Sequence, residues 1–264
     1  MNISIKFKRI AGVMAAVSIA LASQSAVAAA ISVNYAGSAD FGSGQVGYAF
    51  GQIAPNPNSP NALAGVGVGG DSDTTDVNPS YAFTSTGHFN SWCVDIYHWL
   101  ANGVSTYNVE ADTDLASTLD VLRPGTGTTR VQDLELLANE VYGSLHTQSD
   151  SAAFQLAVWA ITYGTPDGTG LFSINSTDPN FQVDAATLTQ PWGVQANGWL
   201  SNLFTAPVTG HYALAYLSDG TTGANGGDGS TQDLVVFTSV PEPTTLALLG
   251  LGLFAIGASR RRQA

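Results

Sequence analysis

One cysteine, four histidines and one amide in an apolar helix are the side chains in this sequence that could do chemistry. Cys93 stands in Phe89-Asn-Ser-Trp-Cys-Val-Asp-Ile-Tyr-His-Trp, which alternates as a strand does. Trp92, Val94 and Ile96 fall on one face, and Ser91, Cys93, Asp95 and Tyr97 on the other. An inert structural cysteine belongs with the apolar set, and the alternation places this one opposite it. A lone cysteine leaves three options: a disulfide between chains, a reactive thiol, or an inert buried side chain. The amide is Gln155, in Phe154-Gln-Leu-Ala-Val-Trp-Ala-Ile. On a helical wheel Phe154, Ala157, Val158 and Ile161 gather on one side. Gln155 falls at the border of that side with Ser151, Trp159 and Thr162, an uncharged amide between core and solvent beside an indole. The histidines, His88, His98, His146 and His211, offer a Cys–His hydrolase as the enzyme alternative. His98 follows Cys93 by five residues and so lies on the opposite face, and no protease signature surrounds Cys93. None of the four shows metal-ligand spacing, so no metal or cofactor is expected, and neither is an enzyme. Asp71, Asp73 and Asp76 offer oxygen ligands of the kind Ca²⁺ takes, but without the rest of an EF-hand loop they read as a solvated turn.

An aromatic-Cys pair followed downstream by Gln-x-Ala-(Val/Ile)-Trp resembles the thioester domain of bacterial surface adhesins. Trp92-Cys93 supplies the pair, and Gln155-Leu-Ala-Val-Trp159 the second motif, over roughly residues 80–240. The chain departs from the family in one respect: it has Phe154 where a threonine usually precedes the glutamine. The resemblance implies an internal thioester between the Cys93 sulfur and the Gln155 side-chain carbonyl. It also implies a shield against water, for which Trp92 and Trp159 are the first candidates, with Tyr97, Trp99 and Phe154 behind them. Such a bond is an electrophile that an external amine or hydroxyl opens, giving covalent attachment to a nucleophile on a surface protein or polysaccharide. Forming it needs a positioned thiol and a donor for the developing oxyanion. If it acts as a disulfide does, closing the span from 93 to 155 contributes about 4 kcal/mol. The runner-up is a passive, exopolysaccharide-associated matrix protein in which Gln155 is an ordinary helix-edge residue and Cys93 a spare thiol.

These residues need a scaffold. Residues 31–53 show short alternating segments punctuated by Gly and Ser, and residues 81–100 are the richest strand region. Residues 54–80 read as a loop. Residues 110–123 are weakly helical up to Pro124-Gly125. Leu134, Leu137, Ala138 and Val141 form one helical stripe within residues 131–145. A second helix is expected over residues 151–163, capped by Ser149 or Asp150 and ended by Gly164 before Pro166. A third runs over residues 192–204, and residues 211–217 and 233–240 return to strands. Strands, then helices, then strands predict a β-rich α+β fold, a β-sandwich or barrel-like core with a helical insertion.

Both ends read as addresses rather than fold. Lys6, Lys8 and Arg9, an apolar stretch and Ala26-Val27-Ala28 make residues 1–30 a secretory signal peptide, cleaved after Ala28 or Ala30. At the other end Val240, Pro241, Glu242 and Pro243 lead into an uncharged run and then Arg260, Arg261 and Arg262. As a helix that run reaches about 24 Å, slightly short of a hydrocarbon core of about 30 Å, with the arginines on the cytoplasmic side. The order of parts in residues 241–264 resembles the PEP-CTERM sorting signal of Gram-negative bacteria that make exopolysaccharide. The resemblance implies a transient membrane helix, cleavage by an exosortase, and release to the cell surface or beyond. A plain C-terminal membrane anchor is the alternative. Residues 31–240 are then the mature domain, with Arg123 and Arg130 against nineteen acids, a net charge of −17. That repels nucleic acid and anionic membrane, and the absence of lysine removes a self-reacting amine.

Overall fold

The computed structural model describes residues 29–38, 48–53, 64–67, 72–76, 88–96, 98, 103–183, 185–220 and 231–240. Most of the expected signal peptide and the tail from Pro241 onward lie outside these, as do Asp71, Tyr97 and Trp99.

The order is β1 (Ala29–Ser38), β2 (Tyr48–Ile53), β3 (Ala64–Gly67), β4 (Ser72–Asp76), β5 (His88–Phe89), β6 (Trp92–Cys93) and β7 (Gly103–Glu110). Then come α1 (Asp112–Leu122), α2 (Gly127–Val141) with a 3₁₀ turn at Tyr142–Ser144, α3 (Gln148–Tyr163), β8 (Phe181–Val183), α4 (Ala185–Leu188) and α5 (Pro191–Asn202). β9 (Tyr212–Ser218) and β10 (Leu234–Ser239) close the list. Seven strands form one antiparallel sheet in the order β5-β4-β1-β7-β9-β10-β6, and three form a second, β3-β2-β8. β7 and β9 are neighbours in the sheet, joined through Val109 and Leu217, although the five helices of the described residues lie between them in sequence. The helices are therefore one excursion between adjacent strands of a mixed α+β fold.

Three expectations change. The loop of residues 54–80 contains β3 and β4, and Asp73 and Asp76 belong to β4, paired with β1, rather than to a turn. β7 was not anticipated, yet it pairs with β1 from Ala29↔Val109 to Tyr35↔Gly103. Its Val104, Thr106, Tyr107 and Val109 carry the strand preference. The rich strand region around Cys93 is, where described, two pieces of two residues each.

α3 is the centre of the packing. Its cap is Thr147, two or three residues earlier than expected: Thr147 Oγ1 accepts from Asp150 N–H at 3.1 Å, and the Asp150 carboxylate accepts from Thr147 N–H at 2.9 Å. Gly164 ends it, and a Cβ there would meet Ala160 O at 2.5 Å. From Ser151 to Gly164 every residue is buried. A helix covered on all sides is a core helix, so the amphipathic border on which Gln155 was expected does not exist. α1 and α2 cross closely at Gly127, where a Cβ would stand 1.9 Å from Ala116 O.

Of the buried carboxyls, three are pushed up by their burial. Burial pushes Glu140 up to about 7 and Asp133 up to about 6, the latter against the pull of Arg130. Burial also pushes Asp233 up to about 7, with Asp95 and Asp219 adding and the Tyr216 hydroxyl and Asp219 N–H opposing. Each folded-state value lies above its unfolded value, so the folded state keeps protons that the unfolded state loses. Stability then falls as pH rises from about 4 towards 7. The expected result is a higher melting temperature at pH 5 than at pH 8. Glu140→Gln, which removes a carboxylate with neither oxygen hydrogen-bonded, should flatten that dependence; a slope unchanged by the substitution would contradict the assignment.

Candidate functional site

Cys93 ends β6, and β6 is the last strand of its sheet. One side of β6 pairs with β10 through Leu234↔Cys93 and Val235↔Trp92, and Val94 N–H continues to Asp233 O at 3.0 Å. The other side of an end strand leaves backbone groups without a strand to meet them. α3 meets them with side chains. Gln155 Oε1 accepts from Cys93 N–H at 2.9 Å, and Gln155 Nε2 donates to Cys93 O at 2.8 Å. Two turns along the helix, the Tyr163 hydroxyl donates to Val94 O at 2.8 Å and accepts from Ile96 N–H at 3.2 Å. The glutamine thus imitates the peptide of a missing strand.

The flanking residues hold this register. Trp92 precedes Cys93 and Phe154 precedes Gln155, and their rings meet edge to face with centroids 4.6 Å apart. Tyr142 and Phe237 complete the cluster, with Phe237 5.7 Å from Phe154. Such aromatic pairs contribute about 0.5–1.5 kcal/mol each beyond area burial. Phe154, the departure from the adhesin motif, is therefore the residue that seats α3 on β6.

Gln155 and Cys93, far apart in sequence, are brought into direct contact, both buried at 0% and 4% exposure. Two expectations are corrected here. Gln155 is wholly interior, not at a border. Cys93 lies within the hydrophobic core with Trp92 and Val94. Facing away from the apolar set in sequence did not mean facing solvent.

Burial raises the Cys93 thiol well above its usual range, and the Asp95 charge adds to it. A cysteine hydrolase needs the opposite, a stabilised thiolate. His98 binds Asp95 Oδ2 through Nδ1, and Asp95 O accepts from Gln232 Nε2. Of the two expected shielding residues, Trp92 is fully buried and donates from Nε1 to the Tyr142 hydroxyl at 3.4 Å. Trp159, one turn after Gln155, is 1% exposed, and its Nε1 meets no hydrogen-bond partner among the described residues. Among the described residues no group of three or more His, Cys, Asp or Glu is placed to hold a metal ion.

The two arginines that the sequence marks only as charge support the same helix. Arg130 Nη1 donates to Ile161 O and Nη2 to Gly164 O at 3.0 Å, and its guanidinium lies 5.2 Å from the Phe172 ring centre. Arg123 Nη2 donates to Tyr163 O at 3.3 Å. Both basic residues expected in the mature domain therefore sit at the C-terminus of α3, where carbonyls are orphaned and the helix dipole favours a cation. Their scarcity in sequence was the available signal.

The arrangement has a chemical reading. Cys93 Sγ is two bonds from the Cα whose flanking backbone groups grip the amide. Attack of Sγ on the Gln155 carbonyl carbon would move charge onto Oε1, where Cys93 N–H already donates. A nucleophile's own N–H serving the oxyanion is an established catalytic device.

Residues 239–262 match the family described as the PEP-CTERM protein-sorting motif. No curated protein and no solved structure matches the chain. The motif implies export and processing by an exosortase, directed to the cell surface of a Gram-negative bacterium. The resemblance to thioester domains has no counterpart in these comparisons. Among the described residues no helix is long and apolar enough to cross a membrane; the apolar run of the tail lies outside them.

Proposed function

We propose that the mature domain, residues 31–240, forms an internal Cys93–Gln155 thioester and uses it to attach covalently to a nucleophile outside the cell. The observation that carries this reading is the paired hydrogen bonding of the Gln155 amide to both backbone groups of Cys93. In the proposed step the Cys93 S–H and the Gln155 primary amide become a thioester and ammonia, the thiol proton leaving on the nitrogen. The product is uncharged, so the burial that penalises a thiolate does not penalise it. Opening by an amine returns the thiol and leaves an amide at position 155, one turnover per molecule rather than enzymatic cycling. We also read the sheet as curling towards a barrel. Its end strands β5 and β6 are separated only by Asn90 and Ser91, and Phe89 pairs with Thr74 while Trp92 pairs with Val235. Three Cα steps, at most about 11 Å, thus join one end of the strand order to the other.

Intact mass spectrometry of the purified mature protein tests the bond. The expected mass is about 17 Da below the sequence value, rising by about 31 Da after methylamine with one thiol exposed to labelling, as covalent capture requires. Full sequence mass with a thiol that stays unlabelled until denaturation favours the passive matrix protein instead. The same spectra read the sorting step, since the surface form should end near Pro241–Pro243. A surface form that retains Arg260–Arg262 would indicate a simple anchor.

A further inference from the structure

Trp159 and Ser151, one turn to either side of Gln155 on α3, each bury a donor that meets no partner among the described residues, and of the two it is Trp159, on the C-terminal side, whose side chain leans back towards Gln155. Its indole is buried at 1% exposure, and Nε1–H meets no acceptor among those residues. Buried donors are nearly always paired, and an orphan calls for an explanation. Most of the neighbouring polar groups are accounted for: Gln155 uses Oε1 and Nε2 on Cys93, Thr162 Oγ1 donates to Val158 O at 2.8 Å, and Tyr163 serves Val94 and Ile96. Trp159 follows Gln155 by four residues on α3, so the two share a face. Long helical side chains lean back over the preceding turn, which carries the indole towards Gln155. Oε1 has two lone pairs, and one donor, Cys93 N–H, is seen on it. In a tetrahedral intermediate that oxygen carries a full charge and has room for a second donor.

We propose that Trp159 Nε1–H is the second donor of the oxyanion hole, a catalytic residue for making and opening the bond rather than a shield alone. This rests on the thioester reading above. It explains why an indole, and not a phenyl ring, occupies an interior position with no partner in the amide form: the partner is the charged oxygen of the intermediate and, in the bonded form, the thioester carbonyl. No atom is added to the balance, since the indole keeps its proton and only polarises the oxygen.

The test uses the full mature domain and methylamine as the probe. Trp159→Phe keeps an aromatic ring and removes the donor. The expected result is a second-order rate of opening lower by about 10²-fold, the loss of one oxyanion donor. The second readout is the direction of a shift: an indole N–H that donates to the thioester carbonyl is deshielded by that hydrogen bond and moves upfield when the bond opens, which a shield alone does not require. In ¹⁵N-tryptophan-labelled wild type, the indole resonance absent from Trp159→Phe should move upfield when methylamine opens the bond. That measurement needs no variant beyond its assignment, and a site-specific benzothiophene analogue of the tryptophan can replace the phenylalanine if Trp159→Phe does not fold. An unchanged opening rate together with an indole resonance that does not move upfield overturns the role of Trp159 while leaving the thioester standing. A wild-type domain at full sequence mass removes both.

Discussion

Arg130→Met should lower the unfolding free energy by about 3–5 kcal/mol. The guanidinium is 3% exposed and holds two carbonyls at the end of α3, Ile161 O and Gly164 O. Removing it leaves both unpaired in the interior, and a hydrogen bond from a charged group is worth about 1.5–3 kcal/mol. The stacking on Phe172 is lost as well. Burial, with Arg123 adding, pulls Arg130 down to about 10, so it remains charged at neutral pH and the helix dipole loses its counter-charge. Arg130→Lys should recover little, because an ammonium cannot span two carbonyls as the planar fork does. Arg123→Met should cost no more than about 1 kcal/mol, since that side chain is half-buried and reaches α3 through one long bond. Urea titration with an unchanged m-value reads all three. An Arg130→Met midpoint within experimental error of wild type would remove α3's terminus from the list of what stabilises this domain.

Gln155→Ala should cost about 4 kcal/mol or more, and Cys93→Ala only about 1–2 beyond whatever ring closure both variants forfeit. Sequence alone makes the two equivalent, as the two ends of one cross-link. The structure separates them. Cys93→Ala keeps the backbone N–H and C=O that Gln155 pairs with and leaves a cavity of one sulfur atom. Gln155→Ala orphans both backbone groups inside the core. Gln155→Glu is the sharper variant, because it is also the product of hydrolysing the thioester. A neutral carboxyl can accept from Cys93 N–H and donate to Cys93 O as the amide does. A carboxylate cannot donate, and it is buried near Asp95. The folded-state pKa of the new group therefore lies above its unfolded value near 4.3. Its stability penalty is small below that pH and grows as pH rises, until the folded group ionises. Denaturation midpoints for Gln155→Glu at pH 4.5 and pH 8 check the sign. Equal losses at both pH values would mean that the amide is not gripped as described.

The class of fold was legible because it rests on local pattern: the β-branched run into β10, the stripe of α2, and Gly164 before Pro166. What escaped was set by tertiary contact. β7 has strand-forming residues at Val104, Thr106, Tyr107 and Val109 but mixes them with polar ones, and its place is set by pairing with β1 and β9 on its two sides. α3 reads as amphipathic because Gln155, Thr162 and Ser151 are polar. Yet Gln155 is satisfied by the β6 backbone and Thr162 by its own helix, so polarity there does not mean exposure. The pairing of residues 93 and 155 came from a motif resemblance. Periodicity could not have supplied it, since no periodic signal reports a contact between a strand end and a helix side. Arg123 and Arg130 were counted only as charge. Their scarcity gained meaning once both were seen at one helix end.

The glutamine and tyrosine that finish β6 have a consequence for crowding. Proteins sorted to a bacterial surface accumulate at high local concentration, where an open strand margin is a template for joining one molecule to the next into fibres. In this domain that margin is occupied by Gln155 and Tyr163, so neighbouring copies find no free ladder there to extend. The stopper is part of the helix itself and cannot be displaced without pulling α3 from the core, which makes the protection of this one margin as durable as the fold.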